Sequence, residues 1–172
     1  VIDCAGRDES HGLSKHDESY DKNMARLLNQ YRQDGYRLIL SSFCSHEGDP
    51  KGIEKVLRAM GCKEGPDVQV LSYDGTNTEV LTTAIAQSEF VIATRFHATI
   101  LAIAAGRPVL PIIYSDKTKH VLEDIGFDAA MIDIRNCEDY NVADIPTNVE
   151  VDRHELAEKA CGHFKKLDEI LS

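Results

Sequence analysis

The stretch EFVIATRFHATILAIAAGRPVLPIIYSDKTKHVLEDIGF, residues 89–127, decides the fold of this chain. Two short apolar runs in it, Phe90–Thr94 and Val109–Ile113, contain β-branched residues and are typical of buried strands. Between them, Ala98–Ala105 is an apolar, helix-like segment that ends before a glycine and a proline, as helices commonly do. The pattern therefore predicts two parallel strands joined by a helix.

The same alternation of strands and helices continues on both sides of this stretch. It predicts an α/β fold: a Rossmann-like three-layer sandwich with a mostly parallel sheet of about six strands. We interpret residues 1–172 as a single domain, because this length suits one hydrophobic core. The other strands are predicted at Val1–Ala5, Tyr36–Phe43, Val68–Tyr73 and Ala129–Ile134.

Basic side chains follow the two central strands at the points where those strands end. Arg95 and His97 come after the first strand, and the turn with Lys117 comes after the second. Ligands of open parallel sheets bind at the edge where the strands end, so we expect these three side chains at one site. Arg7 follows the first predicted strand and is a weaker candidate for the same cleft. The turn at Arg7 lacks the G-x-G-x-x-G pattern, which argues against a dinucleotide enzyme.

The charge distribution supports an anionic ligand at this edge. The chain as a whole has a net charge of −10 and a pI near 5.1, which argues against nucleic-acid and anionic-membrane binding. Residues 95–120 nevertheless carry a net charge of +3. That local excess comes from Arg95, Arg107, Lys117 and Lys119 against Asp116.

Other classes of site find little support in the composition. The five cysteines are scattered and odd in number, which favours reduced thiols and a cytoplasmic protein over a disulfide framework. No set of residues has the spacing of a metal site, and we predict none. No apolar run reaches the length of a membrane span.

The segment from Ala93 to Lys117 resembles a known family. It reads ATRFHA, then AAGRPV, then YSDK, and is similar to the SRLHA…AAGVPV…Y..K pattern of the polysaccharide pyruvyl transferase family. Phe96 replaces the usual leucine, and Arg107 stands where a small apolar residue is common. Neither departure removes a candidate functional group.

The resemblance implies a larger architecture. The family is similar in fold to two-domain glycosyltransferases of the GT-B type, in which two Rossmann-like domains face each other across a cleft. This chain matches the second, C-terminal domain of such an enzyme, and its partner would be an N-terminal domain with much of the acceptor site. Because the closed cleft excludes water from the reactive intermediate, we expect this chain on its own to be inactive.

The resemblance also implies a reaction and roles for the candidate residues. Members transfer a pyruvyl group from phosphoenolpyruvate to a sugar of a cell-surface polysaccharide, or of its lipid-linked precursor, as a ketal. Phosphoenolpyruvate is the donor substrate, no other cofactor is implied, and peripheral membrane association of the full-length protein is left open. Arg95 and Lys117 would bind the anionic groups of the donor, with Arg7 as a weaker contributor. His97 would act as general acid or as phosphate ligand, and the sequence does not separate these roles.

Two other functions stay open at the level of sequence. One is a nucleotide-sugar-dependent glycosyltransferase or epimerase domain of GT-B type, which usually has acidic residues for ribose after the fourth or fifth strand, where this chain is basic. The other is a non-catalytic remnant of the fold. The three functions differ in ligand: phosphoenolpyruvate, a nucleoside diphosphate, or neither.

Overall fold

A computed structural model describes residues 1–7, 12–136, 151, 153–162 and 169–170 of the chain. Helices and strands alternate along these ranges, with single-turn 3-10 helices at Ala5–Arg7, Ser14–His16 and Ser45–Glu47. The main elements in chain order are α1 Asp17–Gln33, β1 Leu38–Ser42, α2 Asp49–Met60, β2 Val68–Ser72, α3 Thr78–Gln87, β3 Val91–Ala93, α4 Phe96–Ala104, β4 Val109–Ile113, α5 Asp116–Asp124, β5 Ile132–Asp133 and α6 Arg153–Gly162.

All named strand pairs are parallel. Strand β1 pairs with β2, with Leu38 opposite Val68, and β3, β4 and β5 form a second sheet in that order. The α/β, Rossmann-like class is therefore confirmed. The prediction of one sheet of about six strands is wrong, because the described residues form sheets of two and three strands.

The predicted first strand, Val1–Ala5, is not a strand. The amide of Ile2 donates to the Tyr20 hydroxyl over 3.3 Å, and the amide of Ala5 donates to an Asp17 carboxylate oxygen over 2.9 Å. These backbone donors are thus bound by side chains of α1 rather than by a neighbouring strand. Ile2 is nevertheless fully buried. The apolar pattern of this segment therefore predicted its burial correctly, but not its hydrogen bonding.

One hydrophobic cluster connects the two sheets. It joins Leu40 of β1 and Val68 of β2 to Ile112 of β4, and the buried faces of α1 and α2 cover it. A second cluster lies under α3, α4 and α5, around Val109 and Leu122. Strand β4 is buried at every position, as expected for a continuous apolar run between two layers of helices. The shared core holds the carboxyl ends of the strands in fixed positions.

A cluster of acidic side chains surrounds Lys55 beneath the first segment. The Lys55 ammonium lies 3.1 Å from Asp3 and 3.3 Å from Asp21, and it also contacts Asp17. Lys51 binds the second oxygen of Asp3 at 2.9 Å. Burial raises the pKa of Asp21 from 3.8 to about 6, with a further rise from the nearby charges of Asp17 and Asp3, and together these outweigh the lowering by Lys55.

We expect the Asp21→Asn variant to change the pH dependence of stability. The pKa of Asp21 is about 6 in the folded protein, above its ordinary value of 3.8. The protonated carboxyl therefore contributes fully to stability below about pH 3.8, and this contribution is lost as the pH rises through about 6. Relative to the variant, the natural chain should lose about 1–2 kcal/mol between about pH 4 and pH 7. Urea unfolding at several pH values measures this. Asp128→Asn, at an exposed position, is the control. The prediction is contradicted if the unfolding free energies of the natural chain and Asp21→Asn differ by the same amount at every pH.

Candidate functional site

The candidate site lies at the edge of the sheets where the parallel strands end. Polar residues after β1, β3 and β4 converge there, because parallel strands bring their carboxyl ends to one side. The first segment, residues 1–7, also reaches this edge through its terminal 3-10 helix, Ala5–Arg7. The side chains involved are Arg7, Glu47, Asp49, Arg95, His97, Tyr114 and Lys117.

Arg95 is a buried member of an ion-pair network. It occupies the N-cap position of α4 with extended backbone, and its side chain is 9 % exposed. Its Nε donates to both oxygens of Asp49, at 3.0 and 2.9 Å, and Nη2 donates to the same carboxylate. Its Nη1 donates to Glu47. Burial alone would lower the pKa of Arg95, but the hydrogen bonds that it donates to Asp49 and Glu47 outweigh burial and hold the pKa above the ordinary value.

Asp49 holds Arg95 in place from a fully buried position. Its Oδ2 accepts hydrogen bonds from the backbone amides of Phe43 at 2.9 Å and Cys44 at 3.0 Å, in addition to Arg95. The residue before it, Gly48, has a φ of 82°, and an added Cβ there would lie 3.2 Å from Asp3. This glycine turn directs the Asp49 carboxylate back towards the end of β1 and towards Arg95.

Arg7 and Arg95 converge on one carboxylate oxygen. Arg7 donates through Nη2 to Oε2 of Glu47, the same oxygen that accepts from Arg95. The Arg7 side chain is 6 % exposed, lies 5.3 Å above the Tyr114 ring and reaches the Tyr114 hydroxyl at 3.4 Å. The hydrogen bonds from Arg95 and Arg7 lower the pKa of Glu47 to about 2. Two buried guanidinium groups therefore share one half-exposed anion.

His97 and Lys117 form the exposed part of the site. His97 lies in the first turn of α4, and Lys117 lies in the first turn of α5. The Phe96 ring is their common neighbour: its centroid is 5.7 Å from the His97 ring centroid and 5.7 Å from the Lys117 ammonium. The structure thus brings these two side chains to one ring, that of the residue directly after Arg95. Their chemical roles stay predictions.

The basic side chains at the site edge are not the same set as those counted in residues 95–120 of the sequence. Arg107 contributes to that count but precedes β4, and so lies at the opposite edge of the sheet. Arg135, which follows β5, reaches the site edge and binds Asp116 and Asp133, each at 2.7 Å. Within the described part of the chain, no carboxylate forms an ion pair with Lys117. Its ammonium instead lies 5.7 Å from the centroid of the Phe96 ring.

Sequence reasoning missed the carboxylates of the site. Glu47 lies in a segment that resembles an ordinary loop, and Asp49 precedes a proline, which is the pattern of a helix N-cap. The helix begins at Asp49 itself, and no side chain caps it. The signal that points to them is their position directly after β1, at the edge where strand ends meet.

Comparison with known families identifies the family of the chain. The sequence model of a family described as "Polysaccharide pyruvyl transferase" matches residues 7–117, more than half of the chain. The chain belongs to the polysaccharide pyruvyl transferase family. The matched segment begins at Arg7 and ends at Lys117, so it contains all four predicted site residues of this family member. No solved structure matches the chain.

The described residues contain neither a metal cluster nor a membrane helix. No three or more histidine, cysteine, aspartate or glutamate side chains in these ranges are grouped so that they could hold a metal ion. Among the same residues, every helix is too short or too polar to cross a membrane.

The family membership itself indicates a transferase.

Proposed function

We propose that this chain carries the donor site of an enzyme that transfers a pyruvyl group from phosphoenolpyruvate to a sugar as a ketal. The observation that supports this most is the set of basic side chains at one sheet edge: Arg7, Arg95, His97 and Lys117 all lie within the segment matched to the family. Phosphoenolpyruvate combines a carboxylate and a phosphate in a small molecule. Such a compact anion is costly to desolvate unless several cations surround it.

The four side chains divide into a buried and an exposed pair. Arg7 and Arg95 are rigid, planar donors suited to one anionic group of phosphoenolpyruvate. Lys117 is an exposed point charge suited to the other group. The first amide groups of α4 also face this edge, where a helix N-terminus favours an anion. The proposed donor therefore lies between the starts of α4 and α5.

His97 is the proposed proton donor or phosphate ligand of the reaction. In the first role it protonates the methylene carbon C3, which makes C2 electrophilic. A sugar hydroxyl adds to C2 and loses its proton, the bond from C2 to the phosphate oxygen breaks, and a second hydroxyl of the sugar adds to C2. Of the two hydroxyl protons, one balances the proton taken up at C3 and the other leaves with phosphate. In the second role His97 binds the departing phosphate.

The proposal includes the setting of the reaction. The acceptor is a sugar of a cell-surface polysaccharide or of its lipid-linked precursor, as in exopolysaccharide or cell-wall biosynthesis. A second Rossmann-like domain of GT-B type would face the edge described above and supply much of the acceptor site. We place the reaction in the cytoplasm, where phosphoenolpyruvate is available to a chain with reduced cysteines.

The test is a calorimetric or NMR titration of the chain with phosphoenolpyruvate, with UDP as the comparison ligand. We expect saturable binding of phosphoenolpyruvate, weakened about tenfold by Lys117→Ala because one charge-assisted contact is lost. His97→Ala should also weaken binding if the imidazole contacts the phosphate. If it serves only as the acid, His97→Ala should leave binding intact and reduce turnover by about 100-fold or more in the complete two-domain enzyme.

Lys119→Ala is the matched control, since it removes a lysine from the same helix two positions further on, where the side chain pairs with Glu123 at 3.8 Å. This variant should bind phosphoenolpyruvate as the natural chain does. Saturable binding of UDP without binding of phosphoenolpyruvate would favour the nucleotide-sugar alternative. An equal loss in Lys117→Ala and Lys119→Ala would contradict a specific role of Lys117.

A further inference from the structure

Glu47 and Asp49 are held very differently, although both bind Arg95. Asp49 is fully buried, and backbone amides at the end of β1 fix it as firmly as the guanidinium does. Glu47 is 50 % exposed, lies on a single-turn 3-10 helix, and binds Arg95 and Arg7 through Oε2. Asp49 is therefore a permanent counter-charge for Arg95. Glu47 can leave by side-chain rotation into solvent.

The two guanidinium groups depend on Glu47 to different extents. Arg95 keeps its bonds to both Asp49 oxygens when Glu47 turns away, so its position and charge stay fixed. Arg7 keeps its contacts with Tyr114, whose ring lies under the guanidinium. Rotation of Glu47 would thus break the two hydrogen bonds at its Oε2, one from Nη2 of Arg7 and one from Nη1 of Arg95, while both guanidinium groups stay in place. Two guanidinium donors at one point suit a phosphate or carboxylate, which has several acceptor oxygens.

We propose that Glu47 is an internal counter-anion that occupies the place of the donor's anionic group and is displaced when that group binds. The identity of the donor as phosphoenolpyruvate rests on the function proposed above, whereas the anion site rests on the geometry of Arg7, Arg95 and Glu47. Before the ligand binds, Glu47 is the shared partner of both guanidinium groups, in addition to Asp49 at Arg95. In the binding reaction it competes with the ligand for the same nitrogens, so Glu47 sets the affinity of the site.

The test compares Glu47→Gln with the natural chain in titrations with two probes, inorganic phosphate and phosphoenolpyruvate. Glutamine keeps the size of the side chain but removes its charge and most of its competition for the guanidinium groups. We expect both probes to bind about three- to tenfold more tightly to Glu47→Gln. Glu47→Ala is a second variant with the same expectation, since alanine cannot reach either arginine. Thermal unfolding checks that both variants fold.

Glu89→Gln is the matched control. It removes one negative charge from an exposed position just before β3, at the opposite edge of the sheet, so it changes the net charge equally without touching the arginines. This control should leave both affinities unchanged. A gain in Glu89→Gln equal to that in Glu47→Gln would overturn the proposal, because the effect would then be one of net charge alone.

The two probes separate this inference from the proposed function. Tighter phosphate binding by the Glu47 variants without any binding of phosphoenolpyruvate would support the displaceable counter-anion and contradict the donor assignment. If the Glu47 variants bind phosphoenolpyruvate no more tightly than the natural chain does, the counter-anion role is overturned. The assignment of phosphoenolpyruvate as the donor would then still stand. Failure of every variant to bind either probe would overturn both.

Discussion

The Asp49→Asn variant is expected to lose about 3–5 kcal/mol of unfolding free energy, because it leaves a buried guanidinium without its main partner. Arg95 is 9 % exposed, and Asp49 accepts from its Nε at 3.0 and 2.9 Å. Asparagine keeps the shape of the side chain but has no charge and only one acceptor oxygen. The amides of Phe43 and Cys44 would then compete with Arg95 for that oxygen. Urea unfolding at neutral pH measures the loss.

The control for this variant is Asp116→Asn, which also removes a carboxylate bound to an arginine. Asp116 is 67 % exposed, and its partner Arg135 keeps a second carboxylate, Asp133. We expect Asp116→Asn to leave the unfolding free energy unchanged within the error of the measurement. If Asp49→Asn is no less stable than Asp116→Asn, the network does not hold the loop after β1.

The Gly52→Ala variant is expected to lose about 1–3 kcal/mol of stability, although alanine favours helices. Gly52 lies in α2, where helix propensity alone would make alanine better by about 1 kcal/mol. An added Cβ, however, would lie 2.3 Å from the carbonyl oxygen of Ile2 and 2.8 Å from the amide nitrogen of Asp3. Backbone atoms cannot rotate away, so α2 must shift from the buried first segment. The steric term therefore exceeds the propensity term.

Gly65→Ala is the control for this variant, because it makes the same chemical change in open space. The nearest atom to an added Cβ at Gly65 is the carbonyl oxygen of Lys63, at 4.0 Å. Its effect should stay within about 0.5 kcal/mol, as for most surface substitutions. Denaturant midpoints of the two variants provide the comparison, and a Gly52→Ala protein more stable than the natural chain would show that α2 and the first segment are not in close contact.

Local patterns in the sequence were enough to predict most elements of the fold. The apolar run Val109–Ile113 appears in the structure as β4 with unchanged bounds, and the helix predicted at Ala98–Ala105 spans Phe96–Ala104. The first segment shows the limit of this reasoning, since Ile2 is as buried as any strand residue but donates its amide to Tyr20. Residue type indicates whether a position is buried, but it does not indicate which group its backbone amide binds.

The sequence by itself determined the α/β alternation, the position of Arg95, His97 and Lys117 at strand ends, and the family, because these depend on short-range spacing and residue type. Only the tertiary structure decided which carboxylates neutralise the arginines. Arg95 binds Asp49 across 46 positions, and Arg7 binds Glu47 across 40. Tertiary contacts also split the strands into two sheets. Such pairings depend on how the packed core brings distant segments together, and the periodicity of a segment carries no information about its distant partner.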